Sequence, residues 1–328
     1  MPETTLSILP PVTSGNLTIF LITGPEAWPD ANLRTLDEAL ADQSLIIHET
    51  GNVSKLAVEN LSQFDVFLQA GDLVKGGLQD RVLGVDLIVP AGAGKMPLST
   101  FCVESGRWRN RVSRAAGVER SDRFHSASNR VASKEIKLAA MHRRSQSMVW
   151  EKVHDFQESL GDSFKRSLRS DESPTSLQLT LEDDQLGQRV DEQMKELLPI
   201  VEPSTAPLLG YAFAINGQLN SAEIYTNSGL FRKLWPRMLK ASLIEALSDL
   251  TGQGGATAVG IDEVRTALNQ PREIKWVKRF VSPRITLRSA ETERAFIQDT
   301  CDVDRGGAWF HRNYLVKPIL CPQFEPAL

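Results

Sequence analysis

The stretch GYAFAINGQLNSAEIYTN, residues 210–227, carries the clearest fold signal in the chain. Apolar and polar residues alternate on both sides of Asn216 and Gly217, and a period of two is typical of a half-buried β-strand. Asn-Gly is a preferred pair for a two-residue hairpin, because both residues tolerate a positive φ angle. The stretch therefore predicts an antiparallel β-hairpin that turns at Asn216 and Gly217.

Strand and helix patterns occur in separate groups on either side of this hairpin. Short β-branched and aromatic runs at 17–23 and 44–50 predict strands, and the tail from Trp276 onward has the same character. Apolar residues at helical spacing predict a long helix within residues 128–161 and a second helix at 186–197. This grouping favours an α+β fold, with an antiparallel or mixed β-sheet core and a helical middle segment.

Local patterns add two narrower predictions. The apolar runs 81–90 and 96–105 flank the turn-like AGAGK, which predicts a hairpin or meander. Leu230, Leu234 and Met238 predict a helix that either kinks at Pro236 or begins there.

No long Gly/Ser-rich or Pro-rich linker divides the chain, so we expect one integrated domain over residues 1–328. It would comprise a β-rich part (1–110), a basic helical part (111–198) and an α+β part (199–328).

Composition limits the functional classes. The 328 residues carry a net charge of −4 and are 41% hydrophobic, which is ordinary for a globular protein and too weakly charged for general attraction to nucleic acid or membrane. Cys102, Cys301 and Cys321 show no CxxC spacing, and the histidines show no HxH or HExxH spacing, so we expect neither a disulfide framework nor a metal site. We see no signal-peptide pattern and no membrane-length apolar run, and we expect a cytoplasmic protein.

Positive charge is concentrated in residues 107–144, which hold nine Arg and two Lys against three acidic residues. Such a segment suits the phosphates of a nucleotide or nucleic acid. It equally suits pairing with the acidic stretch around 182–196, in the same or a neighbouring subunit. Only Trp108 and Phe124 interrupt it as aromatics, which does not favour a stacking platform for single strands. Nucleic acid is therefore the less favoured partner.

The stretch GDLVKGGLQDRVLGVDLIVPAGAGKMPLSTFCVESGRW, residues 71–108, gathers the side chains most suited to chemistry. Carboxylates can act as acid or base, a thiol as a nucleophile, and guanidinium groups can bind an anion bidentately. If 98–104 is one strand, Cys102 and Glu104 point to the same face. The candidates are Gln79, Asp80, Arg81, Cys102, Glu104, Arg107 and Trp108.

Each candidate also has a purely structural interpretation. Cys102 lies between Phe101 and Val103, where a free thiol is usually a small buried hydrophobe. The acids and arginines can equally pair with one another across strands, and Gly76-Gly77 suits a turn or bulge.

This stretch resembles the central motif of the ARG and rhodanese-phosphatase-superfamily-associated domain family. That pattern runs through Gly-Gly and Gln-Asp/Asn-Arg to a Val-Cys-Val-Glu-x-Gly-Arg-Trp type end. Asp72 departs from it, because the family pattern has Glu there. Further resemblance lies in QSMVWEKV (146–153), ESPTSL (172–177), INGQLNSAEIYTNSGLFRKLWPRML (215–239) and WFHRNYL (309–315).

The resemblance implies a prokaryotic family named for the genes it accompanies, which point to ADP-ribosyl or phosphate-ester metabolism. It assigns no cofactor and no chemical role to any residue. The motif positions carried over are Gly76, Gly77, Gln79, Asp80, Arg81, Cys102, Glu104, Gly106, Arg107, Trp108, Asn216 and Gly217.

Three functional hypotheses follow. In the first, a polar pocket on the sheet binds a small anionic ligand, such as a nucleotide or an ADP-ribose-like compound, through Gln79, Arg81, Glu104, Arg107 and Trp108. In the second, the protein is a hydrolase acting on a phosphate- or ADP-ribose-containing substrate, in which Glu104 or Asp80 is the base and Arg107 stabilises negative charge. In the third, it is a scaffold that binds a partner protein through the basic segment.

Overall fold

The computed structural model describes residues 6–106, 124–202, 204–250, 259–269 and 274–318. Its strands in chain order are β1 (Ser7–Ile8), β2 (Val12–Ser14), β3 (Leu17–Thr23), β4 (Arg34–Thr35), β5 (Leu45–Asn52), β6 (Lys55–Asn60), β7 (Val66–Leu68), β8 (Asp72–Gly76), β9 (Arg81–Leu83), β10 (Leu87–Val89), β11 (Met96–Cys102), β12 (Phe124–Val131), β13 (Leu208–Ile215), β14 (Gln218–Tyr225), β15 (Val277–Phe280), β16 (Ile285–Glu291), β17 (Ala295–Asp302) and β18 (Ala308–Val316).

The helices lie mostly between β12 and β15. They are α1 (Leu36–Ala41), α2 (Lys134–Lys137), α3 (Gln146–Phe164), α4 (Leu177–Leu181), α5 (Asp184–Leu197), α6 (Ser228–Ser248) and α7 (Ile261–Leu268), with a π-helix at Leu138–Arg143 and 3₁₀ turns at Leu198–Val201 and Val303–Arg305.

Three sheets organise these strands. The largest is antiparallel, with the order β1-β3-β13-β14-β18-β17-β16-β15, and β2 pairs with β3. A second sheet has the order β12-β8-β9-β11-β6-β5, and a small sheet has the order β10-β7-β4 with a parallel β4–β7 pair. The predicted α+β fold, with an antiparallel or mixed sheet core, is confirmed.

The predicted hairpin is the β13–β14 pair. Its turn residues Asn216 and Gly217 have φ angles of 51° and 78°, the positive values that a type I′ turn requires. The hairpin lies in the middle of the large sheet, because β13 also pairs with β3 and β14 also pairs with β18.

Helix α6 packs against β12, β13 and β14 and against the helices α3 and α5. Asn227 caps its first turn, and the helix continues through Pro236, which lies on an exposed position. The helix therefore neither starts at Pro236 nor ends there. Its apolar residues join the main core, which extends from β3 through the second sheet to β18.

Two local predictions were right only in part. β9 pairs antiparallel with β11, but β10 pairs with β7, so AGAGK joins two sheets and is not the turn of a hairpin. The long helix expected within 128–161 is α3, but residues 124–131, inside the part expected to be helical, form β12 on the edge of the second sheet. In both cases pairing with a distant strand decides the structure, which a local pattern does not contain.

Within the described ranges, we find no helix with the length and apolar character that a membrane crossing requires.

Candidate functional site

The structure brings together five of the seven candidates from the 71–108 stretch. Gln79 and Asp80 lie in the turn between β8 and β9, and Arg81 begins β9. Cys102 is the register partner of Arg81 across the β9–β11 pair, and Glu104 follows two residues later. We call these five residues the motif cluster. Arg107 and Trp108 lie outside the described residues.

The side chain of Gln79 connects three other residues of the motif cluster. Its side-chain nitrogen donates to the backbone oxygen of Glu104 at 2.8 Å, and its oxygen accepts from Arg81 Nη1 at 3.1 Å. Cys102 Sγ contacts the Arg81 guanidinium and lies 2.8 Å from Gln79 Oε1. Arg81 Nη2 is also 3.6 Å from Glu49 Oε2. These contacts satisfy polar groups in a place where water does not reach them.

The two acids of the motif cluster hold a distant loop. Ser173 Oγ donates to Glu104 Oε1 at 2.5 Å, and Ser176 Oγ donates to Asp80 Oδ2 at 3.0 Å. The backbone nitrogen of Asp80 donates to Glu104 Oε2 at 3.3 Å. The loop before α4 is thereby fastened to the end of β11.

All five side chains of the motif cluster are internal. Arg81, Cys102 and Glu104 have 0% relative exposure, and Asp80 and Gln79 have 1% and 4%. The structure therefore supports the predicted gathering of these residues, but it places them in the interior and not at an open hollow. Ligand contact or catalysis by them stays a prediction.

An open cleft of about 670 Å³ lies at the C-terminal end of α3. Two of its guanidinium groups already have partners: Arg166 donates to Asp183 at 2.6 Å, and Arg169 Nη2 lies 2.7 Å from His154 Nδ1. The carbonyl end of a helix also carries partial negative charge. This cleft is therefore a poor site for an anion.

A second, fully internal polar network connects the large sheet to α2. His311 on β18 lies between two carboxylates, with Nδ1 2.7 Å from Asp86 Oδ2 and Nε2 2.7 Å from Glu223 Oε2. Lys137 forms an ion pair with the other oxygen of Glu223. The His311 ring stacks on Tyr225 with centroids 4.4 Å apart. Since both ring nitrogens face carboxylates, His311 is an imidazolium that donates twice.

The charges of this network support one another. Burial lowers the pKa of His311, but Asp86 and Glu223 outweigh it and raise the pKa to about 9. Burial raises the pKa of Glu223, but Lys137 and His311 bring it below its ordinary value. Near neutral pH the network therefore contains two cations and two anions, which is how buried charges are tolerated.

Asp72 forms a separate buried ion pair with Arg237, at 2.9 Å between Oδ1 and Nη1. Burial is the main reason that the pKa of Asp72 is raised to about 6, with Arg237 acting in the opposite direction. Asp72 is the position at which the resemblance led us to expect Glu. Here its role is to pair β8 with α6.

Next to Lys137 is a cavity of about 10 Å³, lined in part by Tyr211, Ser242 and Glu245. That volume holds about one water molecule, so it is too small for a substrate. Among the described residues we find no group of three or more His, Cys, Asp or Glu side chains arranged to hold a metal ion.

A cationic patch lies where the π-helix meets the large sheet. We define it as Arg143, Arg144, Arg279 and Lys317. The charges of Arg143 and Lys317 act on the carboxylate of Glu291, and the charge of Arg144 acts on Arg279. Lys317 Nζ is 3.0 Å from Glu291 Oε1. The nearby His142 lies 3.4 Å from Glu291 of β16, and its ring packs against Phe296 of β17 with centroids 4.5 Å apart and a tilt of 30°. These contacts hold the π-helix against the large sheet.

Arg279 is the least neutralised cation of the patch. It is half-buried on β15, and burial together with the charge of Arg144 holds its pKa below the ordinary value. Within the described residues, the guanidinium groups of Arg279 and Arg144 have no hydrogen bond and no ion pair, although the backbone nitrogen of Arg144 donates to Ala139. The patch thus has four cations and, among the described residues, one acid.

The sequence indicated part of this patch, because Arg143 and Arg144 end the basic segment 107–144. It did not indicate Arg279 or Lys317, which are more than a hundred residues away. The His311 network was also missed, since its partners are separated by 225 and 88 positions.

The family model of the ARG and Rhodanese-Phosphatase-superfamily-associated Protein domain, ARPP-1, matches residues 5–313. The chain belongs to this family, as the resemblance of its motifs predicted. No curated protein and no solved structure matches the chain.

Proposed function

From the patch geometry of this family member, we propose that the protein binds a small anionic ligand carrying phosphate or carboxylate groups, at Arg144 and Arg279. A nucleotide or an ADP-ribose-like compound belongs to this class. The observation that carries the proposal is the half-buried Arg279 beside Arg144, with no described carboxylate between them.

The energetic argument is that this arrangement is unfavourable without an anion. A partly desolvated guanidinium loses hydration, and a second cation nearby adds repulsion. A bound phosphate would reverse both effects, because charge-assisted and bidentate hydrogen bonds to Arg are among the strongest in proteins. An anion would gain less binding free energy at the surface ion pairs elsewhere on the molecule, since their cations already have acidic partners.

The motif cluster has a structural role in the described residues. It fastens the end of β11 to the loop before α4, and its five side chains are internal. Direct ligand contact through Gln79, Arg81 and Glu104, together with Arg107 and Trp108, remains our prediction from the sequence. The hydrolase hypothesis receives less support, because Asp80 and Glu104 are both buried and accept hydrogen bonds from serines.

The test is titration calorimetry of the full chain with inorganic pyrophosphate and with ADP-ribose. We expect binding that weakens as salt is added, since exposed charges are screened. Arg144→Gln and Arg279→Gln should each weaken it by about tenfold, the loss of one charge-assisted bond. Arg265→Gln is the control, because Arg265 is a surface residue of α7 paired with Asp262.

Stability of the unliganded protein provides a second readout. Arg279→Gln removes a repelling, partly desolvated charge, so its melting temperature should equal or exceed that of the wild type. If neither anion binds the wild type, or if both patch variants bind as well as the wild type, the proposal is wrong.

A further inference from the structure

Strand β15 forms one edge of the large sheet. Among the described strands it pairs only with β16, through the register pairs Val277–Ser289 to Phe280–Thr286. The opposite side of an edge strand presents backbone N–H and C=O groups that have no ladder partner. Such an edge is a template on which another extended chain can add a strand.

The side chains of β15 are unusual for a protected edge. Phe280 is 70% exposed and Val277 is 60% exposed, the two highest values among the large apolar residues that the structure describes as exposed. Both lie on a strand of only four residues. A charged residue such as Lys278 usually discourages another strand from pairing with an edge. Exposed apolar residues such as Phe280 and Val277 instead favour such pairing.

The charge around β15 indicates which kind of chain would pair with this edge. Residues 274–280, IKWVKRF, contain three cations and no acid. A second copy pairing antiparallel on β15 would place like charges opposite one another, which destabilises a cross-strand pair. An acidic segment would place carboxylates there instead.

We infer that β15 is a docking edge for an extended acidic segment of a partner polypeptide, which adds a strand to the large sheet. Backbone hydrogen bonds would supply most of the affinity, and Lys278 and Phe280 would supply selectivity. Side chains alternate along a strand, so Lys278 and Phe280 lie on the face opposite Arg279. Substitutions at Lys278 and Phe280 can therefore test this edge separately from the proposed anion site.

The experiment is fluorescence anisotropy with a short labelled peptide in which Glu and Val alternate. A Lys/Val peptide and a Glu/Val peptide with a central Pro are the matched probes. We expect the Glu/Val peptide to bind the full chain, the Lys/Val peptide to bind at least about tenfold more weakly, and Pro to abolish binding by removing a backbone donor.

Two protein variants locate the edge. Lys278→Glu should weaken the Glu/Val peptide by about tenfold and strengthen the Lys/Val peptide. Phe280→Ser should weaken the Glu/Val peptide several-fold and leave pyrophosphate binding unchanged, which separates this inference from the proposed function. Leu61→Ser is the control, since Leu61 is a 57% exposed apolar residue elsewhere.

Three results would overturn the inference. The first is equal binding of the acidic and basic peptides, or no binding of either. The second is retention of binding by both β15 variants. The third is self-association of the wild type in sedimentation that Phe280→Ser abolishes, because a second copy would then be the occupant.

Discussion

Gly210 shows how strictly one position can be constrained in this fold. It lies in β13 opposite Ile224, and a Cβ atom there would be 2.1 Å from the Glu223 carbonyl oxygen and 2.9 Å from Ile224 Cα. Since β13 is paired on both sides, the backbone cannot move away freely. We expect Gly210→Ala to lower the free energy of unfolding by about 3 kcal/mol, measured by urea denaturation.

The matched control is Gly187→Ala. Gly187 lies inside α5, and a Cβ there would meet nothing within 4 Å. Alanine should raise the free energy of unfolding by about 0.5–1 kcal/mol, because it restricts the unfolded chain and favours helix. Equal effects of the two substitutions would contradict the steric argument.

His311 makes stability depend on pH. Its folded pKa is raised to about 9, above the unfolded value of about 6.5. Its contribution is therefore fully present below about pH 6.5 and is lost as pH rises through 9, amounting to about 3 kcal/mol. We expect the free energy of unfolding to fall over this range in the wild type, measured by urea denaturation at several pH values.

Two variants test whether His311 causes this loss of stability at high pH. His311→Gln should be less stable at pH 6 and should lack this pH-dependent loss. His154→Gln should behave like the wild type, because His154 is exposed on α3. A direct check is an NMR titration of His311; a pKa at or below 6.5 would refute the argument.

For individual residues, the sequence predicted which side chains lie close together but not whether they are buried. Period-two spacing placed Cys102 and Glu104 on one face, and the β9–β11 register brought Arg81 to them. Burial was not predictable, because it depends on contacts such as Ser173 to Glu104, which lie 69 positions apart.

At the scale of the elements, the start of α6 is held by two hydrogen bonds of the Asn227 side chain. Asn227 Oδ1 accepts from the backbone nitrogen of Leu230 at 2.6 Å, and Asn227 Nδ2 donates to the backbone oxygen of Trp28 at 2.6 Å. The side chain is buried, so both bonds are lost together on truncation. We expect Asn227→Ala to lower the free energy of unfolding by about 2 kcal/mol, measured by urea denaturation.

Ser145→Ala is the matched cap variant. Ser145 accepts from Met148 at 3.4 Å at the start of α3 and is less buried. Its loss should cost about 0.5 kcal/mol. A larger effect at Ser145 than at Asn227 would show that the link to Trp28 contributes little.

The elements that were predicted correctly are those whose own sequence is enough to specify them. The β13–β14 hairpin was predicted correctly because Asn216-Gly217 fixes both the turn and the register. α5 was also predicted correctly, from its apolar stripe. β12 was not, because residues 124–131 become a strand only by pairing with β8. These residues lie inside the basic segment 107–144 and in the part, 111–198, that the sequence analysis expected to be helical.

At the scale of the whole molecule, the three parts expected from the sequence are interwoven. β3, from the N-terminal part, lies in the large sheet next to β13, from the C-terminal part. The main core joins residues from β3, α3 and α6, so it draws on all three parts. A second core on the other face of the large sheet again combines β3 with β17 and α7.

This interweaving predicts a single cooperative unfolding transition. No part can unfold without exposing the apolar surface of another, so partly unfolded states are disfavoured. We expect scanning calorimetry of the full chain to give one peak whose calorimetric and van 't Hoff enthalpies agree. Leu160→Ala, a buried residue of α3, should lower the temperature of that whole peak, because α3 packs on α6 in the shared core. If the variant instead splits the transition, or if the wild type shows two separable peaks, then the helical middle is a domain of its own and the single-domain prediction fails.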